Sequence, residues 1–440
     1  MAMAEEETRV IAAQSGRQDG GADPLDDWLA VRARRYRSAV PYRPPAETLE
    51  RYAGLLVNFA LGSGRGIARG EVVLLSAGDD AKPLYVALRN AVLRAGGTTI
   101  GNYTPSGTAR EALELASLEQ LSTFHRAYYR GLAATIDHHV SILSTTDTRE
   151  FEGVDPAKLL AGRRAISPYR RWIGRKEAEG RYSWTLAAYG TQAMAKEARL
   201  SLERYWHEIT VACFLDDPDP IARWRETFAE IARIKRRLDR LEIERLHVEG
   251  EGVDLRFTIG PGRRWLGGTG RNIPSFEIFT SPDWRGTEGT VAFTEPLHRY
   301  GSMIEGVRLR FARGAVVEAT ATRSEELLRA MVASDEGSRR VGEISLTDGR
   351  LSRITRFMAE TLYDENRGGP EGNFHLALGS AYHEAFTGDI AAQTRRDWRR
   401  LGFNQSSVHT DIVSTARREV TAVLPGGRTK PIYADGRFSV

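Results

Sequence analysis

The chain has one cysteine in 440 residues, Cys213. A disulfide framework and a cysteine-based zinc site are therefore both excluded. No apolar run approaches the roughly 20 residues that span a bilayer. The opening "MAMAEEETRV" is acidic and lacks the basic region and apolar core of a secretory signal. These absences lead to the expectation of a soluble, cytoplasmic protein. An excess of one charge is missing too: 62 basic residues stand against 58 acidic ones, a formal net charge of +4. The basic residues are interleaved with acids, as in "RIKRRLDRLEIER" (Arg233–Arg245). Around that stretch Ile221, Trp224, Phe228, Ile231, Ile234, Leu238 and Leu241 recur every three or four residues, the signature of an amphipathic helix with a solvated charged face. A nucleic-acid surface needs clustered basic residues interleaved with aromatics, and none is visible. Neither nucleic acid nor a membrane is expected as a partner.

What is present is long enough for two domains with sizeable cores. Residues 1–45 are polar and glycine-rich in part ("SGRQDGGADP") and read as a flexible arm. From residue 46 the patterns alternate. "EVVLLSA" reads as a short apolar strand, "KPLYVALRNAVLRAGG" as a helix with Leu84, Leu88, Ala91 and Ala95 on one face and Gly96 at its end, and "TIDHHVSILS" as another strand. Strand, helix and strand joined by short links predict an α/β unit with parallel pairing. Thr191–Arg245 reads as helical, broken at "DDPDP". Beyond it the period changes to two: "VDLRFTIG" alternates Val253, Leu255, Phe257 and Ile259 with polar residues. Strand patterns then dominate to the C-terminus. The expectation is an α/β domain over 46–248 and a strand-rich α+β catalytic domain over 249–440.

The chemistry concentrates in the second half. "SSVHTDIV" places His409 and Asp411 two residues apart on a strand pattern, so both side chains project from one face. Alone, such a pair could be a structural hydrogen bond, half of a relay, or two metal ligands. Glu277 in "PSFEIFTSP" shares a strand face with Phe279, where an unpartnered carboxylate is costly to bury. Glu343 lies in "VGEISL". His375 lies in "NFHLALGSAY", seven residues before Tyr382, a spacing of two turns if that segment is helical. Singly, each reads as a surface residue or a satisfied core group. As a set, three carboxylates, two imidazoles and a phenol suit zinc, manganese, cobalt or iron rather than calcium. They are also about the number needed for a two-metal hydrolytic site.

Four segments, "RNIPSFEIFTSPD", "SDEGSRRVGEISL", "TLYDENRGGPEGNFHLALGSAY" and "NQSSVHTDIV", resemble in order and spacing the thermophilic metalloprotease family of dimetal aminopeptidases, the aminopeptidase T and aminopeptidase S group. The resemblance extends more loosely over residues 50–440, through "YSWTLAAYGTQAMAKEARLSLERYW" and "DPDPIARWR". It implies metal ligation by Glu277, Glu343, His375, His409 and Asp411, with Glu343 also open to a role as general base and Tyr382 as the active-site tyrosine. It further implies two divalent ions (zinc, cobalt or manganese), a small peptide or small amide as substrate, and a homodimer. Three departures stand out against the family pattern: Phe276 where a second acidic residue is common, a longer loop "RGGPEGN" before His375, and "DIVST" after Asp411. A non-peptide amidase on the same site therefore stays open. A different class also stays open: a ring-cleaving dihydroxypyridine dioxygenase would hold one iron with His375, His409 and Asp411 alone. A silent binding protein is disfavoured because no ligand position has been lost.

Weaker signals carry less. "YHEAF" has Thr387 where a zincin helix needs its second histidine. "DHH" (Asp137–His139) reads as an ordinary strand at a sheet edge, and "GPGRRWLGGTG" as a flexible turn before the Glu277 strand. No G-x-S-x-G elbow supports serine hydrolysis.

Overall fold

The computed structural model describes residues 42–299 and 302–440, and residues 44–440 form one compact unit. The expected N-terminal arm, apart from its last few positions, lies outside the described residues. The first half is α/β. Strands β1 (Val72–Gly78), β2 (Thr98–Thr104), β3 (His138–Leu143) and β4 (Ser183–Ala188) form a sheet in the order β2-β1-β3-β4, and every pairing is parallel. Helix α1 (Ala46–Leu55) packs on α2 (Lys82–Arg94). Helix α2 buries Leu84, Ala87, Leu88, Ala91 and Val92, starts with a proline in its first turn, and stops at Gly96 with φ +83°. A left-handed residue just past a helix end is where glycine costs least. Strand β3 runs between β1 and β4, so the "DHH" segment is interior rather than an edge. His138 and His139 are satisfied there by Glu71, Ser183 and Ser76.

Helices α3 (Arg126–Thr135) and α4 (Ser167–Ala178) pack on the parallel sheet through Leu132 and Ile173, followed by α5 (Leu202–Ala212) and α6 (Pro220–Asp239). The stretch expected as one helix from Thr191 with a single break divides twice. Arg199 takes φ +57°, and the Ser201 side chain accepts a hydrogen bond from the Arg204 amide at 3.2 Å, an N-cap that starts a new helix. Helix α6 ends at Asp239, and Arg245 already belongs to a strand.

The second half is antiparallel and strand-rich, giving the α/β plus α+β architecture expected. Its strands are β5 (Arg245–Gly250), β6 (Val253–Thr258), β7 (Glu277–Thr280), β8 (Asp283–Ala292), β9 (Leu297–Arg299), β10 (Ser302–Ile304), β11 (Arg308–Ala312) and β12 (Ala315–Thr320). They continue with β13 (Val341–Thr347), β14 (Asn373–Gly379), β15 (His409–Ser414), β16 (Arg418–Val423), β17 (Thr429–Ala434) and β18 (Arg437–Phe438). An eight-stranded sheet runs β12-β11-β8-β6-β5-β16-β17-β18, and a four-stranded one runs β15-β14-β13-β7. Ile278, Ile344, Leu346, Leu376, Leu378 and Ile412 form one face of the smaller sheet. They share a core with Leu246, Val248, Leu255 and Phe257 of the larger sheet and with Ile231, Ile234 and Leu238 of α6. Among the described residues, no helix is long and apolar enough to cross a membrane.

The glycine-rich "GPGRRWLGGTG" is tied down rather than loose. Leu266 and Phe279 exchange backbone hydrogen bonds of 2.7 and 3.2 Å along β7. A Cβ on Gly267 (φ +130°) would stand 2.1 Å from the Glu277 carbonyl oxygen, so this approach requires glycine.

The apolar back face should set the stability of the smaller sheet. Leu376 is fully buried at its centre, and Leu376→Ala is expected to destabilise the protein by about 2–5 kcal/mol, read from urea unfolding followed by circular dichroism. A loss under about 1 kcal/mol would show that this core does not support the sheet.

Candidate metal centre

Register decides which side chains meet on the smaller sheet. Asp411 pairs with Ala377, and Ala377 with Glu343; His409 pairs with Gly379; Ser345 pairs with His375; Thr347 pairs with Glu277. Counting by twos along each strand, Glu277, Glu343, His375, His409 and Asp411 all project from the face opposite the apolar core. Each of the four strands contributes, β15 twice. A bulge between Val341 and Glu343 shifts the pairing with β14.

The side chains converge. His375 Nε2 lies 3.4 Å from Glu343 Oε1, His409 Nε2 lies 3.4 Å from Glu343 Oε2, and His409 Nε2 lies 3.2 Å from Asp411 Oδ1. Donor atoms fall into two groups, Glu277–Glu343–His375 and Glu343–His409–Asp411, each with its atoms within 4.8 Å of one another. Glu343 belongs to both. The other ring nitrogens point away: His375 Nδ1 donates to the Glu365 carbonyl at 3.2 Å, and His409 Nδ1 to the Ser380 carbonyl at 2.8 Å. That arrangement fixes each ring and leaves Nε2 facing the carboxylates, the orientation that metal-ligating histidines adopt.

The electrostatics show what the site wants. Burial pushes the Glu277 carboxyl up, and neighbouring Glu343 adds to the push. Burial on its own would depress both imidazoles. Glu343, Glu277 and Asp411 outweigh it at His375, which rises to about 9, and Asp411 and Glu343 do the same at His409. Burial would raise Asp411, but His409 holds it well below the usual carboxylate range. The protein thus keeps protons on imidazoles to balance buried carboxylates. A divalent cation would do so more effectively, and carboxylate with imidazole is a donor set that such ions accept.

Tyr382 stands three residues past the end of β14, so its partnership with His375 arises from a strand and the turn after it, not from two turns of helix. Its amide donates to Ser281 Oγ at 2.9 Å. Its ring packs edge-on against His409 at 5.1 Å and tilted against Phe279 at 5.3 Å. Burial and then the charges of Glu343 and Asp411 push its phenol far above the usual value, so the hydroxyl keeps its proton.

Several participants escaped the sequence reading. Glu365, buried, lies in hydrogen-bond contact with Glu277, and burial followed by the Glu277 and Asp411 charges pushes its pKa far up. Asn366 Nδ2 donates to Glu277 Oε1 at 2.7 Å and to the Leu362 carbonyl at 3.1 Å, while its Oδ1 accepts from the Phe276 amide at 2.6 Å. Arg299 donates to the His409 carbonyl at 3.0 Å. The only signal for Glu365 and Asn366 was "DEN" ahead of the unusual "RGGPEGN" loop. Phe276, one of the three departures, points away from the site and stacks on Trp224 at 5.0 Å.

Beside this face opens a cavity of about 850 Å³, reached by Glu277, Phe279 and Tyr382 and walled on its far side by the α/β half. Arg271 bridges the two halves, holding Glu177 at 2.8 Å and Glu384 at 2.9 Å.

A family model, the thermophilic metalloprotease (M29), matches residues 46–438. The chain belongs to that family. It is an enzyme of the metallo-aminopeptidase kind, and the family's chemistry is that of divalent metal ions. It is 29% identical to aminopeptidase T of Thermus thermophilus over 88% of this chain and 98% of the relative. It is 27% identical to aminopeptidase PepS of Streptococcus thermophilus over 90% and 98%. The structure of wild-type AmpT from Thermus thermophilus superposes with a TM-score of 0.74 at 27% identity, covering 89% of this chain and 99% of that one.

Asn366 offers a direct check on this network. Asn366→Leu keeps the branched shape but leaves the buried Phe276 amide and one Glu277 oxygen without their asparagine partner. At about 1–3 kcal/mol for each unsatisfied group, the loss should be at least about 2 kcal/mol by chemical denaturation. A neutral result would mean that Glu277 does not depend on this asparagine.

Proposed function

We propose that this enzyme removes the N-terminal residue of small peptides, using two divalent ions held by Glu277, Glu343, His375, His409 and Asp411. The observation that carries this reading is the pair of donor groups sharing Glu343 on one sheet face. A carboxylate common to two clusters is the arrangement a two-ion site requires. A single-iron reading through His375, His409 and Asp411 is less well supported. Those three do not form one donor group among the described residues, and it would leave Glu277 buried without a cation.

When bound, divalent ions supply Lewis acidity, polarising the scissile carbonyl and making water acidic enough to attack near neutral pH. The chain's own groups do the rest. Tyr382, protonated and set against His409, donates a hydrogen bond to the oxygen that gains charge as the carbonyl becomes tetrahedral. Glu343, with one oxygen towards each histidine, would be held in common by both ions and is the carboxylate assigned to take the proton of the attacking water. The two Nδ1 hydrogen bonds and the Asn366 bond to Glu277 hold the donors in place before substrate arrives. The cavity beside Tyr382 and Phe279 receives the peptide.

The decisive experiment counts metal per chain and measures hydrolysis of leucine amide in the wild type and in His409→Ala and Asp411→Ala. Both variants should lose bound metal and detectable turnover together. Full occupancy with normal turnover in either would end the metal assignment.

Tyr382→Phe separates chemistry from binding. Metal content should stay near the wild-type value, while kcat falls by roughly 10²–10³, the usual effect of removing one oxyanion donor. Loss of both would make Tyr382 a ligand, and loss of neither would remove it from the mechanism.

A further inference from the structure

The cavity beside the metal face also reaches Ala134, Lys176 and Arg181 of the α/β half. The same three residues line a neighbouring surface depression of about 550 Å³. Its character differs sharply from that of the metal face. Five of its lining residues are cationic, Arg126, Arg130, Arg175, Lys176 and Arg181; the others are Trp172 and two alanines, and no carboxylate lines it. Arg126 and Arg130 stand four residues apart on α3, and Trp172 and Arg175 three apart on α4, so each pair shares a helix face. The two helices pack together and close the concavity.

Two of the cations already have partners. Lys176 binds the Ile136 carbonyl and Asp137, and Arg181 pairs with Glu179. Arg126 lies over the Trp172 ring at 5.8 Å. Among the described residues, no ion pair holds Arg126, Arg130 or Arg175. Three uncompensated guanidinium groups around one hollow repel one another. Their fork of donors matches carboxylates, and a concave cationic surface focuses its field on an incoming anion.

We propose that this depression binds the acidic C-terminal portion of peptide substrates, so that the enzyme prefers peptides bearing carboxylates beyond the scissile bond. The inference rests on the aminopeptidase reading above. An aminopeptidase holds the substrate's N-terminus at its metals, so the remaining residues extend away through the cavity. Every free peptide ends in a carboxylate, and the cavity adjoins a hollow lined by unpaired arginines. A nucleic acid fits less well. A single aromatic residue lines the hollow, whereas single-strand binders offer a run of stacking platforms along a basic groove.

The test compares Leu-Gly-Gly-Glu-Glu with C-terminally amidated Leu-Gly-Gly-Gln-Gln as substrates for the metal-loaded wild type and for the triple variant Arg126→Gln, Arg130→Gln, Arg175→Gln. Each value is referred to the same protein's hydrolysis of leucine amide, which is too short to reach the arginines. The acidic peptide should be favoured in kcat/KM by about tenfold at low ionic strength, chiefly through KM. The preference should collapse in the triple variant and in about 0.5 M salt, where exposed charges are screened. Equal kcat/KM for the two peptides in the wild type, or an undiminished preference in the variant, would overturn the proposal. Failure to hydrolyse leucine amide would instead sink the aminopeptidase reading. The anion site is then judged by fluorescence anisotropy of labelled Gly-Gly-Glu-Glu. Binding that weakens at least fivefold in the triple variant supports it. Binding that does not weaken, or a single-stranded oligonucleotide that binds more tightly than the peptide, overturns it.

Discussion

Glu277, Glu343 and Asp411 on one face of a sheet, with Glu365 from an adjoining loop, crowd four largely buried carboxyl groups together, where repulsion at a few ångströms is far stronger than in water. The surrounding structure answers that repulsion at every point. Two imidazoles are turned to face the carboxylates, Asn366 donates to one of them, and Glu365 is pushed towards its neutral form. Each of these devices is a partial substitute for a cation. A buried acidic cluster with imidazoles already oriented is poorly explained as a stability feature, because packed apolar side chains would serve stability at least as well. It is well explained as a site arranged for positive charge.

The patch can exist because the other side of the same sheet is predominantly apolar, broken only by the small hydroxyl residues Thr280, Thr410 and Ser414. Ile278, Ile344, Leu376 and Ile412 anchor the backbone in the larger core, and the donors on the front inherit that rigidity. Strand β7 is held further by the stacking of Phe276 on Trp224 of α6, which ties the sheet to the helical part of the chain. Substituting an aromatic at position 276 therefore alters the support of Glu277 rather than the donor set itself. Arg271, between Glu177 and Glu384, fixes the distance between the α/β half and the loop that follows Tyr382.

Much of this was legible in the sequence. Period-two alternation located β6, strand-like composition marked β13 and β15, and i,i+2 spacing put His409 and Asp411 on one face. The order of four short segments carried the family, which the match over residues 46–438 bears out. What could not be read is what depends on tertiary neighbours. Glu365 and Asn366 sit in a loop without periodicity, and their importance comes from pairing with Glu277 across 88 and 89 residues of sequence. His375 and Tyr382 were compatible with a helix by spacing, and only the strand partners of β14 decide otherwise. The arginines of α3 and α4 looked scattered because the two helices lie some 40 residues apart in sequence, and folding brings their basic faces together.

The shared face has a consequence for how this protein can change over evolutionary time. Strand β15 presents His409 and Asp411 two residues apart and β7, β13 and β14 present one donor each, and a one-residue slip in the register of any of these strands would turn its donors into the apolar core. Between the strands no such parity applies. The segment Arg367–Gly372 leads from Asn366 into β14 and can lengthen or shorten while His375 stays where its neighbours place it. Natural variation in chain length should therefore gather in the connections around the site and avoid the strands, so that the surroundings of the substrate can diversify while the arrangement of donors stays fixed.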